Sequence, residues 1–309
     1  MQRLGGPDDG LRAIQKKLKE LQSKEIVVAV IENLRINLDI HRRILRDEDR
    51  NILAWLQSVD TSTNHYLAHK KRDPETGNWL LQLPIFTQWI ASKNASFWLQ
   101  GSPGAGKTVL CSTVIEMVKG QCDQSTDHYA YFYFDFNAKP TRTHIDMLRS
   151  IIAQLCTHKK YVPPTLRQLY NTYNREWQPY RHQLLEMLSL LLTTSHRTYV
   201  IIDALDECQA ESDRDELMIT VKEMIAMDNV NILVTSRKEN DIEEELEDVV
   251  EIKVDLTKAK VDSDIAIYVR NRLEKDKQLR KWDGDTKQKI EKVLTERAQG
   301  MFAFTTFYG

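Results

Sequence analysis

Apolar and polar positions along the chain alternate in two distinct ways, and the switches between them outline its elements. Leu11, Ile14, Leu18 and Leu21 recur at three- and four-residue spacing among Lys and Glu, and Val27, Val30, Ile31 and Leu34 extend an apolar face. Residues 1–60 therefore read as a helical N-terminal region, closing with the apolar cluster Ile52, Leu53, Trp55 and Leu56 as a packed helix end. From Ser58 to Gly77 the chain is polar and ends Asp73-Pro74-Glu75-Thr76-Gly77, which predicts a loop. A helix from Pro84 to Ser92 carries Phe86 and Trp89 towards the apolar run Ser96–Gln100, so residues 61–95 are expected to form a linker and lead-in helix.

Beyond Gln100 the pattern alternates regularly. Leu110, Val114, Met117 and Val118 mark a helix ending near Gly120, and Tyr129–Phe136 is an aromatic strand. Helices follow at Leu148–Leu155, from Pro163-Pro164, and at Leu184–Leu192; Arg197–Ile202 is an apolar strand ending on Asp203. Leu217–Ile225 predicts a crossover helix, Asn231–Ser236 a fourth strand and Val249–Val254 a fifth. Strands separated by helices in this way predict an α/β fold with a mostly parallel five-stranded sheet covered on both faces, occupying residues 96–256. Two further helices, Asp262–Lys275 and Asp285–Ala298, make residues 257–309 a small helical part.

Composition narrows this picture without redirecting it. The 309 residues are 41% hydrophobic and 28% charged, the balance of a soluble globular protein. A net charge of −2 offers no electrostatic case for nucleic acid or an anionic membrane. No run is long and apolar enough to span a bilayer, and no signal-peptide core opens the chain. Cys111, Cys122, Cys156 and Cys208 lack metal-type or disulfide-type spacing and read as reduced, packed thiols, so the expected compartment is cytoplasmic. The charged stretch Arg42–Arg50 admits a partner-binding arm or helices packed on their own domain; too few heptads are present for a coiled coil, which favours the second.

The chemistry begins where the first strand ends. Gly101-Ser102-Pro103-Gly104-Ala105-Gly106-Lys107-Thr108 matches G-x-x-x-x-G-K-[ST] between an apolar run and a helical one. In that setting the glycines let backbone N–H groups converge on an anion at a helix N-terminus, Lys107 reaches the outer phosphates, and the Thr108 hydroxyl is a ligand for Mg²⁺. An ordinary glycine-rich turn is the alternative, and the flanking elements argue against it.

Asp203-Ala204-Leu205-Asp206-Glu207 ends the third strand at the sheet edge where open α/β folds bind ligands. Asp203 is expected to hold Mg²⁺ through water, and Asp206 or Glu207 to orient or deprotonate an attacking water. The competing reading is a polar strand end followed by an acidic helix cap. Arg237 follows the fourth strand directly. If that strand lies between the first and third, Arg237 faces the γ-phosphate position; otherwise it is a surface arginine at a strand end. Neither Asn-Lys-x-Asp nor a switch Asp-x-x-Gly after Asp203 is present, which favours adenine over guanine.

Taken together, the loop Gly101–Thr108, the segment Ile201-Ile202-Asp203-Ala204-Leu205-Asp206-Glu207-Cys208 and the segment Leu233-Val234-Thr235-Ser236-Arg237 resemble the NACHT domain of STAND-type P-loop NTPases. The resemblance is to the nephrocystin-3-like N-terminal type found in fungal NOD-like receptors. Thr76-Gly77-Asn78-Trp79-Leu80, Tyr131–Phe134 and Ala298-Gln299-Gly300-Met301-Phe302 share it, so it covers about residues 50–302. It implies strand order 5-1-4-3-2, binding of ATP or ADP with Mg²⁺, and a slow switch between closed monomer and open oligomer. It also implies that Thr108 and Asp203 take the metal, Asp206 and Glu207 the water and Arg237 the γ-phosphate, and that Thr76 and Gly77 approach the adenine. The family continues past the stretch matching Phe302 into helical, winged-helix and repeat regions; this chain ends at Gly309, so a truncated product is expected.

The expected function is thus a Mg²⁺-dependent ATP/ADP-binding signalling module, a slow ATPase at most, with the nucleotide as ligand. Self-association or a protein partner would engage the N-terminal helices. The alternative is a non-catalytic interaction scaffold, or a fragment of a larger NOD-like receptor.

Overall fold

The computed structural model describes residues 47–56, 59–136, 143–173, 179–208, 211–256, 261–298 and 301–302. The chain divides into two compact units, Met1–Ile52 and Leu53–Gly309. In the first, residues 47–52 are helical; the helices expected before them lie outside the described residues. Every element named below belongs to the second.

Five strands form a parallel sheet: β1 (Ser96–Gln100), β2 (His128–Tyr133), β3 (Thr198–Asp203), β4 (Val230–Ser236) and β5 (Ile252–Asp255). Their order is β2-β3-β4-β1-β5, which read from the other edge is the expected 5-1-4-3-2. In β1, β3 and β4 every residue is buried, as continuous apolar runs require when helices cover both faces. The outer strands are shorter or more exposed. β2 stops at Tyr133 rather than continuing to Phe136, and β5 begins at Ile252 rather than Val249. Tyr133 is the last β2 residue paired with β3, opposite Asp203, so Phe134 leaves the sheet where its partner strand ends.

The lead-in to the sheet consists of α1 (Ser62–Lys70), α2 (Asn78–Leu81) and α3 (Pro84–Ala91). Helix α1 corrects the expectation of a loop from Ser58 to Gly77. It is polar and buries only Ala68, so apolar periodicity gave no sign of it. A side chain docks it instead: His65 bonds Glu116 Oε1 through Nε2 at 2.7 Å and the Tyr133 hydroxyl through Nδ1 at 3.1 Å. Helix α3 behaves as its pattern predicts. Trp89 is fully buried against Phe97 and Tyr199, and its indole N–H donates to the carbonyls of Ala95 and Ile232. Burial of an aromatic of this size contributes about 2–3 kcal/mol, which anchors the helix beneath β1 and β4.

Between strands run α4 (Lys107–Cys122), α5 (His144–Lys159), α6 (Pro164–Thr172), α7 (Arg181–Thr193), α8 (Glu211–Ile225) and α9 (Asn240–Leu246), followed by α10 (Val261–Lys275) and α11 (Gly284–Ala298). Gln154 of α5 lies along the open edge of β2, accepting from Tyr131 N at 3.1 Å and donating to Tyr131 O at 2.8 Å. These bonds satisfy backbone groups that would otherwise offer a template for another strand. Leu56 is buried and Trp55 packs edge-on to Tyr170, as the apolar cluster there predicts. All four cysteines are buried and form no disulfide. Among the described residues no helix is long and apolar enough to cross a membrane.

Candidate nucleotide site

The parallel sheet brings the C-terminal ends of β1, β3 and β4 side by side, with β4 between the other two. The loop Gly101–Thr108 leaves β1 and enters α4, whose first residue is Lys107. Gly101 N still bonds Ser236 O of β4 at 3.2 Å, so the loop starts in register with the sheet. Gly106 turns the chain with φ 88°, a left-handed conformation that a residue with a Cβ adopts only under strain. Pro103, Gly104, Ala105, Gly106, Lys107 and Thr108 then line a cavity of about 1310 Å³, together with Ala204, Asp206, Glu207 and Arg237.

Lys107 Nζ donates to the carbonyls of Gly101 (2.8 Å) and Ser102 (3.2 Å), so its ammonium lies within the loop. Burial lowers its pKa from the ordinary lysine value, and the negative charges of Asp206 and Asp203 oppose that shift. Asp203 sits beneath the cavity wall and is 1% exposed. Its Oδ1 accepts from the Thr235 hydroxyl at 2.7 Å, and it bonds the Thr108 side chain as well. Thr235 Oγ1 in turn accepts from Ala204 N at 2.9 Å, so one β4 threonine fixes both the carboxylate and the left-handed residue after it. Burial pushes the Asp203 carboxyl up to about 6 against these hydrogen bonds. A hydroxyl and a carboxylate presented together at the loop are the hard oxygen donors that Mg²⁺ takes, so the residues present fit that ion.

Asp206 and Arg237 meet directly. Arg237 donates to Asp206 Oδ2 through Nε and to Oδ1 through its backbone N, both at 2.9 Å. The Asp206 side chain is 2% exposed, whereas that of Arg237 is 46% exposed and borders the cavity. Glu207 faces the same space. Its Oε2 accepts from Phe136 N at 3.0 Å, and burial raises its pKa above the ordinary carboxylate value.

The opposite wall comes from helices. Asp264 of α10 accepts from Gly77 N at 2.7 Å and from Trp79 Nε1 at 2.9 Å, both on Oδ2. Gly77 adopts φ 78°, and a Cβ there would come within 3.0 Å of Leu110 on α4. Asn271, also on α10, donates to Asp73 at 2.8 Å, and Arg72 donates to the Thr76 carbonyl at 3.0 Å. Phe302 stands against the loop: a Cβ on Gly106 would lie 3.3 Å from its ring, and Tyr268 packs edge-on to it.

Of the residues expected at the site, Pro103–Thr108, Asp206, Glu207 and Arg237 line this cavity and Asp203 lies beneath it, whereas Gly101 and Ser102 line a smaller neighbouring one with Arg237 and Asp255. Thr76 and Gly77 line the larger cavity. Asp264 escaped the sequence reading because an acidic residue in the first turn of a helix is an ordinary feature, and its partners lie 185 and 187 positions away.

A glycine loop between strand and helix, a buried aspartate at the end of β3, one strand removed from β1, and this strand order define a P-loop NTPase domain. Residues 75–237 match the family described as Nephrocystin 3, N-terminal, and the chain belongs to it. It is also 26% identical over 235 residues to the vegetative incompatibility protein HET-E-1 of Podospora anserina, covering 72% of this chain and 17% of that protein. The chain therefore spans about a sixth of the curated relative it matches. Among solved structures, it resembles Cdc6p from Pyrobaculum aerophilum with TM-score 0.48 and 17% identity, covering 81% of this chain and 64% of that one. A Walker-type ATPase of Pyrococcus abyssi gives TM-score 0.44 and 11% identity, covering 74% of this chain and 64% of that one.

Proposed function

We propose that this chain binds ATP or ADP with Mg²⁺ as a nucleotide-controlled signalling module whose turnover is slow. The observation that carries the reading is the convergence of Lys107, Thr108 and Arg237 on one cavity, with Asp203 bonded to Thr108 beneath it, joined to membership of the Nephrocystin 3, N-terminal family. In this reading the N–H groups of Gly104–Thr108 hold the phosphates, and Lys107 leaves the carbonyls of Gly101 and Ser102 to bind them. Thr108 and Asp203 hold the ion, whose contribution is to neutralise phosphate charge.

Arg237 contacts the γ-phosphate, which makes the site sensitive to ATP against ADP. Of the two carboxylates expected on the attacking water, Glu207 suits that task better. Both oxygens of Asp206 are engaged by Arg237, whereas Glu207 borders the cavity and has a raised pKa suited to accepting a proton. Thr76 and Gly77 form the base side of the cleft. Residues 96–256 serve as the nucleotide-binding body, and 257–309 as a helical segment. The buried cysteines without disulfides suit a reducing compartment, for which we propose the cytoplasm.

The signalling role draws on the incompatibility relative, with its 26% identity, and not on the cavity itself. Displacement of a fluorescent ADP analogue tests the ligand assignment. ATP and ADP are expected to compete in Mg²⁺ buffer, with GTP weaker by about tenfold or more, the discrimination that one or two lost base hydrogen bonds produce. Equal competition by GTP would remove the adenine assignment, and failure of the analogue to bind would remove the nucleotide reading.

A further inference from the structure

The pair formed by Asp206 and Arg237 is itself held by a residue outside the cavity lining. Arg214, on α8, directs one end of its guanidinium at the turn after β3 and the other at the segment after β4. Nη2 donates to Asp206 O at 2.6 Å and to Cys208 O at 3.5 Å. Nη1 donates to Glu239 Oε2 at 2.6 Å and to Asp241 Oδ2 at 3.0 Å. The side chain is 22% exposed, so these contacts form in partial shelter from water. Helix α8 is itself tied down one residue earlier, where Asp213 bonds His144 of α5 at 3.2 Å.

We infer that Arg214 is the positioning residue for the Asp206–Arg237 pair. The pair joins two segments that have both just left the sheet, where backbone ladder bonds no longer fix their separation. Arg214 bonds the Asp206 carbonyl on one segment and carboxylates two and four residues beyond Arg237 on the other. The planar guanidinium spans both at once, which a lysine ammonium cannot do from one point. Arg214 thereby sets where Arg237 stands relative to the phosphate loop without touching the ligand.

This inference rests on the proposed role of Arg237 for its functional consequence but not for its structural one, and two measurements on the full chain separate them. The first is amide exchange of wild type, Arg214→Ala and Arg214→Lys without nucleotide. The Arg237 amide, which donates to Asp206, is expected to exchange about tenfold faster in both variants, as loss of a charged hydrogen bond implies, while β1 and β3 stay protected. Unchanged exchange at Arg237, or equal acceleration across the sheet, would overturn the positioning role; Arg214→Lys keeps the charge and stem should the alanine variant fail to fold.

The second is the ratio of ATP to ADP affinity. Arg214→Ala is expected to move that ratio about tenfold towards the value of Arg237→Ala, to be partly restored by free guanidinium, and to have no more than about a twofold effect in the Arg237→Ala background. A shift of the same size in that background would show that Arg214 acts by another route. If the wild-type chain does not distinguish ATP from ADP, the γ-phosphate role of Arg237 falls, and amide exchange alone decides the position of the pair.

Discussion

The two walls of the cavity are built on opposite principles. The sheet wall draws each group from a strand end: Lys107 and Thr108 after β1, Asp203 at the end of β3, Arg237 after β4. Parallel pairing from Ser96 to Gln100 and from Thr198 to Ile202 fixes where those strands stop, so a few short segments carry the geometry. The helical wall has no common ladder. Its shape depends on individual side chains, above all Asp264, whose single oxygen holds both Gly77 N and the Trp79 indole. One wall is positioned by backbone register and uses its side chains for chemistry. The other uses its side chains to hold its own backbone in place.

The sharpest way to break this comparison is to change one acid on each side. Asp203 titrates at about 6 in the fold against 3.8 for the ordinary carboxyl, so the folded chain holds that proton more tightly than the unfolded chain does. Its contribution to stability is therefore fully present below about pH 4 and lost as pH rises through about 6. Asp203→Asn removes the buried charge. It is expected to stabilise the nucleotide-free protein at pH 8 by up to about 3 kcal/mol relative to its effect at pH 4, while abolishing the dependence of nucleotide affinity on Mg²⁺. Denaturant titrations at the two pH values check the first part, and an equal effect at both would show that the carboxylate is not strained in the native site.

Asp264→Ala is expected to act in the opposite direction. It leaves two donors without their acceptor and should lower stability by about 1–3 kcal/mol, as removal of one partner from a buried hydrogen bond does. Limited proteolysis should then cut between Arg72 and Gly77 before the sheet opens. Simultaneous loss of both regions would mean that the walls are one cooperative unit. At the small end, Lys275 lies 3.8 Å from Asp73 on the rim, with its side chain 65% exposed. Lys275→Ala should change thermal stability by less than about 0.5 kcal/mol, the scale of a solvated ion pair, and a larger effect would make the rim part of the wall's support.

The same contrast explains how much of the molecule was legible beforehand. The loop Gly101–Thr108, the Asp203–Glu207 segment and Arg237 are contiguous strings at the ends of apolar runs, and the strand order turns their linear order into proximity. The helical wall has no such local statement. Helix α1 has little apolar periodicity because His65 docks it through hydrogen bonds to Glu116 and Tyr133. Helix α9, which buries Ile242 and Leu246, is a two-turn acidic stretch that composition alone marks as surface. Asp264 and Arg214 look like any charged helix residues until folding supplies their acceptors. The pairing of Asp206 with Arg237 was equally hidden: the sequence put both near the ligand but gave no sign that each carboxylate oxygen would be engaged.

The central claim is that the loop and the strand-end carboxylate form a functional nucleotide site, and titration calorimetry of the full chain with ADP in Mg²⁺ addresses it most directly. The account predicts one saturable site in the wild type and a loss of about 10- to 100-fold in affinity in Lys107→Ala, the scale of one or more charge-assisted contacts. Equal binding by wild type and variant, or no binding by either, would contradict it.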